Sequence, residues 1–94
     1  MVFLVFFINT TVIAKPVLKN IRISKENLET RLVLDLSETT KYKVFTLNRP
    51  NRVVVDLYRS NKSSTLKSTI GKKGLISKVR IANNTSTKLR VVIE

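Results

Sequence analysis

The 94 residues carry 18 Lys and Arg against 6 Asp and Glu, a formal charge of +12, with 43% apolar residues and neither Cys nor His. That length allows one domain. Without Cys there is no disulfide, and without His there is no His-based triad, few routes to a zinc site and no usual general base near neutral pH.

The chain opens on an apolar run, Met1 to Ile8, followed by polar Asn9-Thr10-Thr11 and then Val12-Ile13-Ala14 before Lys15-Pro16. Val and Ala at positions −3 and −1 fit signal-peptidase cleavage after Ala14, so residues 1–14 read as a signal peptide. The departure is the n-region, where no Lys or Arg precedes the apolar run. A buried N-terminal strand is the alternative. The run falls well short of the roughly 20 apolar residues that span a bilayer, so stable membrane insertion is not expected. All charged residues follow Ala14, so residues 15–94 carry the entire +12. Charge of that size points to an anionic partner: cell-wall polymer, lipid head groups or nucleic acid.

After Pro16, Ile21-Arg22-Ile23 reads as a short strand with both Ile on one face. Lys25 to Thr30 reads as a polar connection that Leu28 pins to the core. Arg31-Leu32-Val33-Leu34-Asp35 follows, the first of three copies of one word. Ser37 to Thr40 is a turn by composition. Tyr42 to Leu47 alternates, with Phe45 and Leu47 assigned to the core side and Tyr42 and Val44 to the other. Asn48-Arg49-Pro50-Asn51 breaks the chain, because proline fixes φ and lacks a ladder donor. Arg52-Val53-Val54-Val55-Asp56 is the second word, so 42–58 reads as a hairpin.

Residues 60–78 contain both glycines and look least like strand; they read as a crossover, with Leu66 and Ile70 on one short helical turn. Val79-Arg80-Ile81 and a polar stretch then lead into Arg90-Val91-Val92-Ile93-Glu94, the third word. The unit [IV]-R-I, polar turn, R-x-V-x-[DE] therefore occurs at both ends of the domain and reads as a duplicated β-hairpin with approximate two-fold symmetry. Within each word Arg, the middle Val and the acid share one face, and the aliphatic residues form the core face. Leu34, Val55 and Ile93 are expected to be equivalent core positions. The expected fold is all-β: a small sandwich of two related sheets.

Chemistry is conspicuous by what is lacking. Asp35, Asp56 and Glu94 are equivalent acids, each with an Arg two same-face positions away, and they read as structural ion pairs rather than as an acid–base pair in a cleft. No Gly-rich phosphate loop, G-x-S-x-G or metal-ligand cluster occurs. No catalytic residue, metal or cofactor is expected. A basic β domain with aromatics on one face can bind single-stranded nucleic acid. With Phe45 assigned to the core, only Tyr42 and Tyr58 remain as a stacking platform for that reading.

The order [IV]-R-I, T-R-L-V-L-D-L, Tyr42…Val44-Phe45-x-Leu47, Pro50-x-Arg52-Val-Val-Val-Asp56-Leu57, V-R-I and L-R-V-V-I-E resembles the AMIN domain. That family is the N-terminal targeting module of periplasmic N-acetylmuramoyl-L-alanine amidases and is also found in type IV pilus secretins. The resemblance covers about residues 17–94 and is most specific from Tyr42 to Leu57. It implies a non-catalytic, periplasmic domain at residues 15–94 that binds peptidoglycan and brings an amidase to the division septum. Many members carry a Gly-containing turn where this chain has Ala82-Asn83-Asn84. The zinc amidase domain is missing, so residues 15–94 are expected to be the N-terminal part of a longer protein.

Expected ligand-binding residues are Arg22, Arg31, Arg52, Arg80 and Arg90, whose guanidinium groups suit the stem-peptide carboxylates of peptidoglycan. If the acids of the words hold Arg31, Arg52 and Arg90, then Arg22, Arg80 and the turn lysines are left for the ligand. Expected partners are peptidoglycan and divisome or envelope proteins, with nucleic acid not expected. Two other readings remain open: a protein-interaction module of a secretin-like envelope assembly, and a basic single-stranded nucleic-acid-binding β domain.

Overall fold

The structure is a computed structural model that describes residues 15–94; the signal peptide expected at residues 1–14 lies outside the described residues. The described residues hold eight β-strands and no helix. These are β1 (Val17–Glu26), β2 (Glu29–Leu36), β3 (Tyr42–Leu47), β4 (Arg52–Tyr58), β5 (Asn61–Lys62), β6 (Thr69–Ile70), β7 (Val79–Thr85) and β8 (Lys88–Ile93). They form two sheets, one of three strands in the order β2-β1-β5 and one of five in the order β3-β4-β8-β7-β6. The all-β expectation holds, and both sheets contribute to one core.

The core follows from period-two alternation. Leu18, Ile21 and Ile23 of β1 meet Leu57 of β4, Val79 and Ile81 of β7, and Leu89 and Val91 of β8, all buried in one cluster with Ile76. Leu32, Leu34, Leu36, Val55, Leu66, Ile70 and Ile93 pack against it while only partly buried. Leu34, Val55 and Ile93 thus lie on the aliphatic side as expected, but the fully buried positions are their neighbours Leu57, Leu89 and Val91. Burial of each such side chain stabilises by about 1.5–3 kcal/mol before conformational entropy is counted.

The two outer hairpins share a register. In β1–β2, Ile21 faces Leu34 and Ile23 faces Leu32. In β7–β8, Val79 faces Ile93 and Ile81 faces Val91. The sheets themselves are unequal, three strands against five, so a two-fold axis relating the halves of the domain does not follow from them.

Several local expectations need correction. The first connection is much shorter than Lys25 to Thr30, because β1 runs to Glu26 and pairs Lys25 with Thr30 and Glu26 with Glu29. Only Asn27 and Leu28 turn the chain. Asn27 sits at φ 52°, a left-handed conformation that Asn tolerates better than most residues. Leu28 is 93% exposed at that tip and pins nothing.

The crossover contains no helical turn. Asn61-Lys62 instead joins β1 in parallel, and Thr69-Ile70 joins β7 antiparallel. Ile70 of β6 and Leu66, in the turn between β5 and β6, still reach the core. Gly74 at φ 58° closes this segment on β2, where a Cβ would lie 2.5 Å from Thr30 Oγ1. That oxygen accepts a hydrogen bond from the Leu75 N–H at 2.9 Å.

Candidate functional site: the outer face of the five-stranded sheet

The hairpin β3–β4 has a four-residue connection, 48–51, that pairs Leu47 with Arg52. Counting back from that pair fixes every face. Val44 lies opposite Val55 on the inner side, and Phe45 lies opposite Val54 on the outer side. Phe45 and Leu47 therefore face away from the core, contrary to the alternation-based assignment. Tyr42 and Val44 point to the inner side but stay 69% and 54% exposed. Alternation defined the two faces of β3; the hairpin register was the signal that could have oriented them.

The same register carries the outer face across the sheet. Val54 faces Val92, Asp56 faces Arg90 and Tyr58 faces Lys88, while Arg80 faces Val92 and Ala82 faces Arg90. Lys43 lies opposite Asp56 on the other side. The result is a row of cations and rings. Lys43 Nζ stands 5.6 Å and Arg90 Cζ 5.5 Å from the centre of the Phe45 ring, and Lys88 Nζ lies 5.2 Å from that of Tyr58. Such contacts are worth about 0.5–1 kcal/mol where exposed and hold the side chains over the sheet. Val54 is only 1% exposed although it lies on this outer face. Its cross-strand neighbours Phe45 and Val92 flank it on both sides.

Asp56 anchors the arrangement. It is 2% exposed and accepts two hydrogen bonds from Arg90, Nε at 2.8 Å and Nη2 at 3.0 Å. The hydrogen bonds from Arg90 hold the Asp56 carboxyl below the usual carboxylate range despite its burial, with Lys88 and Lys43 acting in the same direction. Arg90 is raised correspondingly, chiefly by the same hydrogen bonds.

Of the five candidate arginines, Arg52, Arg80 and Arg90 lie on this face, while Arg22 and Arg31 lie on the outer face of the three-stranded sheet. The acids are divided differently from the expectation. Asp35 takes Arg22 through Nε at 2.8 Å and Nη2 at 2.9 Å, and Glu94 takes Arg80 through Nη2 at 2.6 Å. Arg22 and Arg80 are thus ion-paired, and Asp35 is lowered chiefly by its hydrogen bonds from Arg22. Arg31 has no ion-pair partner among the described residues, and Arg52 Nε donates to the Pro50 carbonyl at 3.1 Å. The acid of each word is satisfied by an Arg on a neighbouring strand, because the diagonal and direct cross-strand positions are closer than the Arg at the far end of its own word.

Five cations, Lys43, Arg52, Arg80, Lys88 and Arg90, share the outer face of the five-stranded sheet with two acids, Asp56 and Glu94. A recess of about 250 Å³ lies on it between Arg80 and Arg90, over Ala82 and Val92 and beside Asn83 and Asn84. The small Ala82 side chain leaves that space. A broader, open depression of about 1080 Å³ lies at the strand ends around Lys41, Tyr42, Tyr58 and Arg59. Of the side chains on this face, Lys43 and Lys88 were not singled out from the sequence, and Phe45 was assigned to the core. The described residues contain no cluster of three metal-ligating side chains and no helix long and apolar enough to cross a membrane.

The family model of the AMIN domain matches residues 20–94. The N-acetylmuramoyl-L-alanine amidase AmiC of Neisseria meningitidis serogroup B is 34% identical over 77 residues, covering 78% of this chain and 18% of the amidase. The chain thus spans under a fifth of the length of that curated relative. No solved structure matches. With the family model extending over both sheets and the outer-face residues alike, this chain belongs to the AMIN-domain family.

Proposed function

We propose that this chain is the cell-wall targeting module of a periplasmic N-acetylmuramoyl-L-alanine amidase, binding peptidoglycan and performing no catalysis itself. The observation that carries the reading is the cation-and-ring surface around Phe45, held in place by the buried Asp56–Arg90 pair. Peptidoglycan offers two chemistries to such a surface. Its sugar rings present C–H faces that stack on aromatic rings, and its stem peptides present carboxylates that guanidinium and ammonium groups can hold. Lys43, Lys88 and Arg52 take the carboxylates in this reading, since none of them makes an ion pair among the described residues. Arg80 and Arg90 line the recess while remaining tied to Glu94 and Asp56. Arg22 and Arg31, on the other sheet, lie outside the surface. The wider role that follows is placement of an attached amidase at sites of septal cell-wall cleavage.

The test is co-sedimentation with purified sacculi at low and high salt. The paired substitution Lys43→Ala and Lys88→Ala is expected to release the chain into the supernatant while it stays folded by circular dichroism. Arg22→Ala with Arg31→Ala is expected to leave sedimentation intact. Equal loss from both pairs would show that binding follows total charge rather than this face. Retention of single-stranded DNA by a chain that ignores sacculi would favour the nucleic-acid reading instead.

A further inference from the structure

The word R-x-V-x-[DE] is its own complement when two copies run antiparallel. Middle Val falls on middle Val, and the Arg of one copy falls opposite the acid of the other. The molecule uses this once. In β4–β8, Val54 faces Val92, Val53 and Val55 face Ile93 and Val91, and Asp56 faces Arg90. The Asp56–Arg90 end closes with two hydrogen bonds, while at the other end Glu94 is taken by Arg80 and Arg52 donates to the Pro50 carbonyl.

The remaining word, Arg31-Leu32-Val33-Leu34-Asp35, lies on β2. Among the described residues β2 pairs only with β1, so its other edge is open over an eight-residue strand. The Arg31 side chain is exposed and makes no ion pair among the described residues. An open edge of this length is a template for strand addition. From the β4–β8 register we infer that the β2 edge is a pairing surface for a second copy of this chain, β2 against β2 across a two-fold axis at Val33.

In that arrangement Val33 meets the partner's Val33, and Leu32 meets the partner's Leu34 on the inner side. Arg31 meets the partner's Asp35 on the outer side; these last two contacts occur twice, and the Val33 contact once, on the axis. Asp35 already accepts two hydrogen bonds from Arg22, and its two oxygens offer about four acceptor sites, so a second guanidinium can be accommodated. Charge also selects this edge. The β1–β2 hairpin carries four cations, Lys19, Arg22, Lys25 and Arg31, against three acids, Glu26, Glu29 and Asp35. Almost all of the chain's +12 therefore lies elsewhere, and two copies meet here with little net repulsion. The interface joins two three-stranded sheets into one of six strands, without using the proposed peptidoglycan face.

Sedimentation velocity of the full chain over a wide concentration range tests the inference, with folding followed by circular dichroism. The wild-type chain is expected to enter a reversible monomer–dimer equilibrium. Arg31→Asp, which leaves the Arg22–Asp35 pair untouched, is expected to weaken association by about tenfold or more, because it sets like charges opposite each other at both ends. Arg31→Lys retains the dimer. A 1:1 mixture of Arg31→Asp with Asp35→Arg restores it, since each chain then carries the other's complement. A wild-type chain that stays monomeric overturns the inference. So does an Arg31→Asp variant that dimerises like the wild type, or a mixture of two folded variants that stays apart. A monomeric chain that instead binds a peptide of residues 51–58 shows an edge open to a strand from elsewhere, and the self-pairing is then wrong.

Discussion

Replacing Asp56 with Asn keeps the shape of the carboxylate and removes its charge, at the one acid that is 2% exposed. Arg90 then keeps one acceptor, and one of its N–H groups faces an amide NH2 across a distance now held at 3.0 Å. Breaking a buried ion pair by removing one partner costs about 3–5 kcal/mol. Here Arg90 retains 31% of its side-chain exposure and can turn partly to water, so the expected cost falls to about 2–4 kcal/mol. A domain of this size has a total stability of about 4–12 kcal/mol, so the loss is a large fraction of it. Urea unfolding at pH 7 measures it directly. The sign with pH is fixed by the depressed Asp56 carboxyl: its contribution is present above the ordinary carboxylate value of 3.8 and is lost as pH falls through the lower folded value. The gap between wild type and Asp56→Asn should therefore close in strong acid. A cost below about 0.5 kcal/mol at pH 7, typical of exposed pairs, or a gap that is the same at both pH values, would refute the account.

Leu89→Ala and Val91→Ala, at 1% and 0% exposure, are expected to cost about 2–4 kcal/mol in the same assay, more than Leu34→Ala, which is only partly buried. An equal or larger cost at Leu34 would show that the centre of the core lies nearer the three-stranded sheet. Gly74→Ala should destabilise by about 1–2 kcal/mol, because it combines a left-handed φ with a Cβ that collides with Thr30 Oγ1. Hydrogen exchange should then report faster exchange at the Leu75 amide, whose acceptor is that oxygen. Phe45→Ala should lower sacculus co-sedimentation while shifting stability less than Leu89→Ala, since its ring lies outside the core cluster.

Most of the strand plan was legible because it rests on alternation, and alternation is a property of single segments. Words ending in Asp35, Asp56 and Glu94 announced β2, β4 and β8, and the Pro50 break announced the β3–β4 hairpin. What alternation cannot supply is the relation between segments. The face of Phe45 depended on the Leu47↔Arg52 pair, and the partners of Asp35 and Glu94 depended on which strands lay next to them. Asn61-Lys62 and Thr69-Ile70 are too short to show a period, so their strands are products of tertiary pairing with β1 and β7. Leu28 misled for the opposite reason, since an apolar residue between polar ones reads as an anchor when the turn beside it is two residues long.

The five arginines divide by the register of their neighbours rather than by their place in the word. Arg22 and Arg80 occupy like positions in like hairpins, and each takes the acid diagonal to it, Asp35 or Glu94. Arg90 takes Asp56 because β8 lies directly beside β4, which buries that carboxylate and aims the guanidinium over Phe45. Arg31 has the same place in its word as Arg90, but its strand has no neighbour on that side among the described residues. One repeated pentapeptide therefore yields a structural ion pair, a positioned surface cation and an unmatched edge residue. The difference among these outcomes lies in which strand is adjacent, and that is why a division by place in the word, with Arg22 and Arg80 left for the ligand, came out the other way round.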